Sequence, residues 1–172
     1  MLGDVHGGAG EQCLEMMQQV NELLDQGGRL EETVSEEIAN HRQTKGKYIP
    51  GFGHRFHKPE DPRAPRLMKL VSDAEGEKLV SGNFMRIGLE IQRQLSQGKS
   101  TGIAMNIDGA TAVIFGELGF APPLARGLFC LSRSVGILAH AWEQKNQGGR
   151  NKGPTPPEFL WNYSGKNPLT EG

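Results

Sequence analysis

Apolar residues recur at steps of three and four along most of this chain, and no stretch alternates convincingly between apolar and polar over a strand's length. That spacing turns one side of a helix toward a core and predicts an all-α protein of about six helices. The first runs from Ala9 through Cys13, Met16, Met17, Val20, Leu23 and Leu24 and stops at Gly27-Gly28. Thr33-Val34-Ser35-Glu36 reads as a capping box that opens a short second helix to about Gln43. Pro65 suits the first turn of a third, which carries Leu67, Met68, Leu70, Val71 and Ala74. A fourth is expected from about Glu77 to Leu95, with Val80, Phe84, Ile87, Ile91 and Leu95 on one stripe. A fifth follows Asn106, carries Ile107, Ala110, Thr111, Ile114 and Leu118, and closes at Gly119. Pro122-Pro123 opens the longest, to about Trp142, along Leu124, Leu128, Leu131, Val135, Leu138 and Trp142. Phe129, Cys130, Ile137 and Ala141 fill much of its remaining surface, so this helix is expected to be buried. Arg133 would then need an anionic partner.

Composition narrows the function. The 172 residues carry 19 Lys+Arg against 20 Asp+Glu, which argues against a basic nucleic-acid platform. Two cysteines, Cys13 and Cys130, are too few for a disulfide scaffold and both fall in helical patterns, so reduced core thiols are expected. No apolar run reaches membrane-spanning length, and MLGDVHGGAGEQ lacks the regions of a signal peptide; a cytoplasmic location is the expectation. Two segments are expected: 1–147 as the main body and 148–172 as an extended arm. The arm is rich in Gly, Pro and Asn yet holds Phe159, Leu160, Trp161 and Tyr163, as if to lie on a partner subunit.

The chemistry concentrates where the apolar period fails. Ile49–Arg63, IPGFGHRFHKPEDPR, is broken by glycine and proline and carries His54, His57, Arg55 and Arg63. Glycines let a backbone approach a ligand closely, and histidine and arginine beside it can bind carboxylate, phosphate or carbonyl oxygens. A basic surface loop has the same composition. His6 precedes a glycine pair at a helix start, where free N–H groups favour anions, although a plain glycine-rich helix entry looks alike. Asp108 stands in a first helical turn, where the helix dipole alone favours an acid. Gly98-Lys99-Ser100 is no phosphate loop, because Arg93 occupies the position of the first glycine. His54-x-x-His57 lacks a completing ligand set and is not read as a metal site.

Taken together and in order, these pieces resemble the C-terminal half of the citrate synthase superfamily. His6-Gly7-Gly8-Ala9 resembles its HGGA segment, and Gly51-Phe52-Gly53-His54-Arg55 with Asp61-Pro62-Arg63 resembles its GFGHR…DPR loop. Asn106-Ile107-Asp108 resembles NVD, and Ser132-Arg133-Ser134-Val135-Gly136 with His140 resembles AR-x-VG-x-x-AH. The resemblance implies a citrate synthase-like helical fold, its C-terminal portion with the small domain, without the N-terminal large-domain helices. It implies a coenzyme A thioester as substrate, no tightly bound cofactor, and a homodimer. Asp108 would be the base at the α-carbon of acetyl-CoA. His6 would donate to the thioester oxygen. His54 would polarise the keto group of oxaloacetate, or take up the hydroxyl proton in the reverse direction. Arg63 and Arg133 would hold the carboxylates of a 2-oxo dicarboxylate. Ile49, Gly51, Phe52, Gly53 and Arg55 would line the coenzyme A site.

The departures point within the family. Gly10 stands where Asn is common, and Gly109 where an aromatic residue is common; NIDG looks more like the citryl-CoA lyase module of ATP-citrate lyase. The tail Pro154–Gly165 lacks the arginine of the RP-x-x-x-Y-x-G segment, leaving Arg150 or Lys152 in its place. The leading expectation is therefore cleavage of citryl-CoA, or a similar 3-hydroxyacyl-CoA, to acetyl-CoA and oxaloacetate. Citrate or 2-methylcitrate synthesis is the alternative within the family, and a non-catalytic CoA-ester binding or assembly module the alternative outside it.

Overall fold

The computed structural model describes residues 7–57 and 60–148. His6 and the arm beyond Gly148, with Arg150 and Lys152, lie outside the described residues. Within them there are six helices: α1 (Gly8–Asp25), α2 (Leu30–Thr44), α3 (Ala64–Gly76), α4 (Asn83–Ser96), α5 (Ile107–Glu117) and α6 (Pro122–Asn146). No strand forms among the described residues; the one extended pairing is an isolated antiparallel bridge between Phe52 and Met105. None of these helices is long and apolar enough to cross a membrane. The chain divides into two compact units, 1–134 and 135–172.

In the first unit, α5 packs on α1 and α4, and α2 and α3 close the sides. The core follows the three-four spacing. Cys13, Leu14, Met17 and Val20 of α1 meet Ile87 and Ile91 of α4 and Ala110, Ala112 and Val113 of α5, all fully buried. Each large apolar side chain removed from water in this way contributes about 1.5–3 kcal/mol. Glu117, at the end of α5, caps α4 across the core: its Oε2 accepts from Gly82 N at 2.9 Å and its Oε1 from Met85 N at 3.2 Å. Two of the otherwise orphaned amides at a helix start are thus satisfied by a distant carboxylate.

Three helix expectations need correction. α2 begins at Leu30, a turn before the capping box; Thr33 is a buried residue inside the helix, with Glu31 and Glu32 in the first turn, where the dipole favours them. α4 begins at Asn83, not Glu77, because Lys78 and Gly82 take left-handed backbone angles (φ 61° and 74°) that no helix continues through. Leu70 of α3 is exposed, and Val71 carries that face inward.

The largest correction concerns α6. Ala125 is its one buried residue, while Leu131, Val135, Leu138 and Trp142 are exposed and Cys130 is only partly covered. An apolar stripe states which residues share a helix face; burial also needs a neighbour over that face, and none of this stripe is buried among the described residues.

Candidate active site

The loop from Ile49 to Gly53 is pressed between α1 and the start of α5. Ile49 is buried. Gly51 has φ 83°, a region open to glycine, and a Cβ there would stand 2.8 Å from Gly109 Cα and overlap the Cys13 sulfur. Conversely, a Cβ on Gly109 would run into the Gly51 carbonyl oxygen. The two glycines are each other's steric condition. Gly109 is therefore what lets the loop backbone lie on the first turn of α5.

Hydrogen bonds then fix the register. Gly51 O accepts from Asn106 N at 3.0 Å, and Gly53 N donates to Ala104 O at 2.7 Å. Asn106 joins the two halves of the site. Its Nδ2 donates to Gly53 O at 2.8 Å, next to His54, while its Oδ1 accepts from Asp108 N at 2.9 Å and Gly109 N at 3.3 Å as the N-cap of α5. From the other side, buried His41 at the end of α2 contacts Tyr48 O through Nε2 at 3.2 Å. Burial pushes the His41 pKa down, the Tyr48 bond opposing, so this anchor is held by a neutral ring.

His54 Nδ1 accepts from the amides of Phe56 and His57, both at 3.0 Å. With Nδ1 an acceptor, the proton of the neutral ring lies on Nε2, which then meets an oxygen as a donor. The His57 ring stacks on it at 4.3 Å between centroids. His54, His57 and Asp61 offer ligand atoms within 4.8 Å of one another. Part of that capacity is already used, at His54 Nδ1 and at Asp61. Both Asp61 oxygens are bound by Arg63: Nε and N reach Oδ1 at 2.9 and 3.1 Å, and Nη2 reaches Oδ2 at 2.7 Å. Asp61 is fully buried, and the Arg63 hydrogen bonds hold its pKa down at about 2 against the opposing pull of burial. Arg63 is raised in turn, first by Asp61 and less by the charge of Asp108, which places that carboxylate in its field. The Cys13 thiol is pushed far up, first by burial and then by Asp108, and stays protonated.

Asp108, His54, Arg63 and the Ile49–Gly53 backbone are thus gathered around the entrance of α5. Two other expected site residues, Arg55 and Arg133, are exposed, as Arg63 is. Arg133, expected to be buried, is exposed on α6, with its guanidinium 4.5 Å from the centre of the Phe129 ring and Nη1 2.8 Å from Ser132 Oγ. The guanidinium is met by side chains of its own helix. Residue-type reasoning passes over Asn106 and Asp61 as agents. The signal for Asn106 is its place directly before a helix; for Asp61 it is an arginine two residues on.

Comparison with known proteins gives this arrangement a family. Residues 1–154 match the family model "Citrate synthase, C-terminal domain". Citrate synthase of Acidithiobacillus ferridurans is 31% identical over 157 residues, which are 90% of this chain and 38% of that protein. Citrate synthase 1 of Mycobacterium tuberculosis is 30% identical over 177 residues, again 38% of its length, so this chain spans well under half of these relatives. Citryl-CoA lyase from Hydrogenobacter thermophilus superposes with a TM-score of 0.70 at 30% identity, over 97% of this chain and 60% of that one. Citrate synthase from Thermotoga maritima does so at 0.65 and 27%, over 99% and 44%. The chain belongs to the citrate synthase family, whose C-terminal domain it carries.

Proposed function

We propose that this protein works at the α-carbon of a coenzyme A thioester and cleaves citryl-CoA, or a close 3-hydroxyacyl-CoA, to acetyl-CoA and a 2-oxo acid such as oxaloacetate. The observation that carries the reading is the Asn106 bridge, which ties the His54 loop to Asp108 through one side chain. The Gly51–Gly109 contact, matching the lyase-like NIDG sequence, and the similarity to a citryl-CoA lyase structure favour the cleaving direction.

In cleavage the hydroxyl proton leaves its oxygen, whose electrons form the keto group as the carbon–carbon bond breaks. The bond's electron pair passes to the thioester enolate, stabilised by the N–H of His6. Asp108 then delivers a proton to the α-carbon, which completes the methyl group of acetyl-CoA. Condensation runs the same path backwards, with Asp108 as base. His54, held with Nε2–H outward, donates a hydrogen bond that polarises the keto oxygen in condensation; to take the hydroxyl proton in cleavage Nε2 must be free, so the neutral ring then carries its proton on Nδ1, released from the Phe56 and His57 amides, and becomes imidazolium while Asp108 starts protonated and ends as carboxylate. A positioned acid or base contributes about 10²–10⁴ in rate, and a donor at the developing oxyanion about 10²–10³. Arg63, oriented by Asp61, offers a fork for a substrate carboxylate. Arg133 takes a second carboxylate only if its guanidinium leaves Phe129. The backbone from Ile49 to Gly53, with Arg55, forms the coenzyme A contact. The reading includes a homodimer in the cytoplasm, and predicts that removing 153–172 lowers the mass seen by light scattering.

The curated relatives are named citrate synthases, which favours the second reading, condensation with thioester hydrolysis. Citryl-CoA given to the purified protein separates the two. Oxaloacetate with acetyl-CoA establishes the lyase, citrate with free CoA establishes the synthase, and unchanged citryl-CoA rejects both for this substrate.

A further inference from the structure

Every residue of α6 from Leu131 to Trp142 is exposed, yet the side chains are sorted by face. Leu131, Val135, Leu138 and Trp142 follow at steps of four, three and four, the spacing of a coiled-coil seam, which keeps them in one narrow stripe. They are 66%, 76%, 71% and 63% exposed. Arg133 and His140 fall on the opposite face of the helix. The positions that flank the stripe are all small: Ser132 and Ala139 on one side, Ser134 and Ala141 on the other. Small flanks let a second helix approach closely, and no charge among them repels an identical surface. Both serine hydroxyls already donate within their own helix, to Phe129 O and Leu131 O at 2.7 Å. A partner can cover them without orphaning a donor.

We propose that this stripe is the contact between two copies of the chain, their α6 helices paired antiparallel about a two-fold axis. In that register Leu131 lies against the partner's Trp142 and Val135 against the partner's Leu138. The two-fold axis repeats both contacts, so the stripe closes on itself in four layers. On the flanks serine meets alanine. Opposed helix dipoles favour this direction over parallel pairing. The four apolar side chains and their small neighbours offer on the order of 600 Å² per copy, so the pair buries about 1,200 Å², the lower end of the range for specific interfaces. The dimer is therefore a dissociable one. A single copy in dilute solution is folded without it, and there Leu138→Gln leaves stability unchanged. The stripe gives the homodimer of the reading above its surface and uses none of that reading's chemistry, so the citryl-CoA assay and the association measurement fail separately.

The test is the mass of the full 172-residue chain by light scattering and sedimentation equilibrium. The concentration runs from about 1 to 100 μM, the weak end of the affinities that interfaces of this kind reach. The parent protein is expected to pass from the mass of one chain to that of two. Leu138→Gln and Val135→Glu, each shown to be folded by circular dichroism and Tm, should weaken association about tenfold or more, as truncation at the centre of an interface does. Cross-linking in a Cys130→Ser background reads the direction. A mixture of Leu131→Cys and Trp142→Cys chains should form a disulfide-linked dimer on oxidation, and neither variant alone should, because antiparallel pairing holds each residue far from its own copy. If a variant does not fold, the cross-link decides. The mass of one chain for the parent protein over the whole range overturns the pairing and leaves the stripe to another occupant. A dimer that both α6 variants retain also overturns it; if that dimer is lost on removing 153–172, the homodimer survives without the seam. A disulfide between two Leu131→Cys chains, or between two Trp142→Cys chains, overturns the antiparallel register.

Discussion

α5 and α6 are both rich in apolar side chains, yet they end in opposite environments. Ala110, Ala112 and Val113 of α5 are fully buried, whereas Leu124, Leu131, Val135, Leu138 and Trp142 of α6 are each more than half exposed. The difference lies in what the glycines admit. Gly109 accepts the Gly51 carbonyl and Gly116 accepts the Phe84 ring, so loop and helix close on α5 to van der Waals distance. Gly127 and Gly136 of α6 have nothing within 4 Å of a built Cβ. Periodicity says which side chains share a face; it does not say what covers it. The proposed chemistry sits at the closed end, where packing is tight enough to hold a carboxylate, an imidazole and a backbone loop in one register.

That contrast can be broken at either end. The largest effect is expected at Asp108. Asp108→Asn should lower kcat by about 10²–10⁴, the contribution of a positioned acid or base, while calorimetry still shows the coenzyme A thioester binding. A loss of binding instead would make Asp108 a binding group. Gly109→Ala is next. Its methyl group has no room beside the Gly51 carbonyl, so it should destabilise the protein by about 3 kcal/mol, the upper range for overpacking, in denaturant unfolding. A neutral result would mean that the loop is not seated as described. Asp61→Asn should cost about 2 kcal/mol, because it strips the charge from hydrogen bonds of a buried carboxylate. The same pair sets an acid limit. A carboxylate whose folded pKa is depressed to about 2 adds stability that is complete above its unfolded value near 4 and disappears as pH falls toward 2. Asp61→Asn should flatten that part of the stability–pH curve. The smallest effect belongs to α6: Leu138→Gln should change stability by no more than about 0.5 kcal/mol, as exposed sites do. A loss of 2 kcal/mol or more would show that the stripe is covered in solution.

Much of this was legible in the residues. Helix type and order follow from the spacing, and the motif order from His6 to Arg133 points to the family. The start of α4 was not legible, because a left-handed Lys78 leaves no mark on the apolar pattern. Nor was the exposure of Arg133, since helical neighbours such as Cys130 and Ile137 look like core on paper. The site was legible as a set of reactive groups but not as an assembly. Asn106 carries that, and its two bonds span 53 residues on one side and two on the other.

The most direct measurement is cleavage of citryl-CoA in D2O, with the acetyl-CoA product read by mass spectrometry for the parent protein and for Asp108→Asn. The account predicts one deuterium in the acetyl methyl group from the parent, delivered by Asp108 after exchange with solvent, and no acetyl-CoA from the variant. Intact citryl-CoA with the parent protein, or equal deuterated product from both, would contradict it.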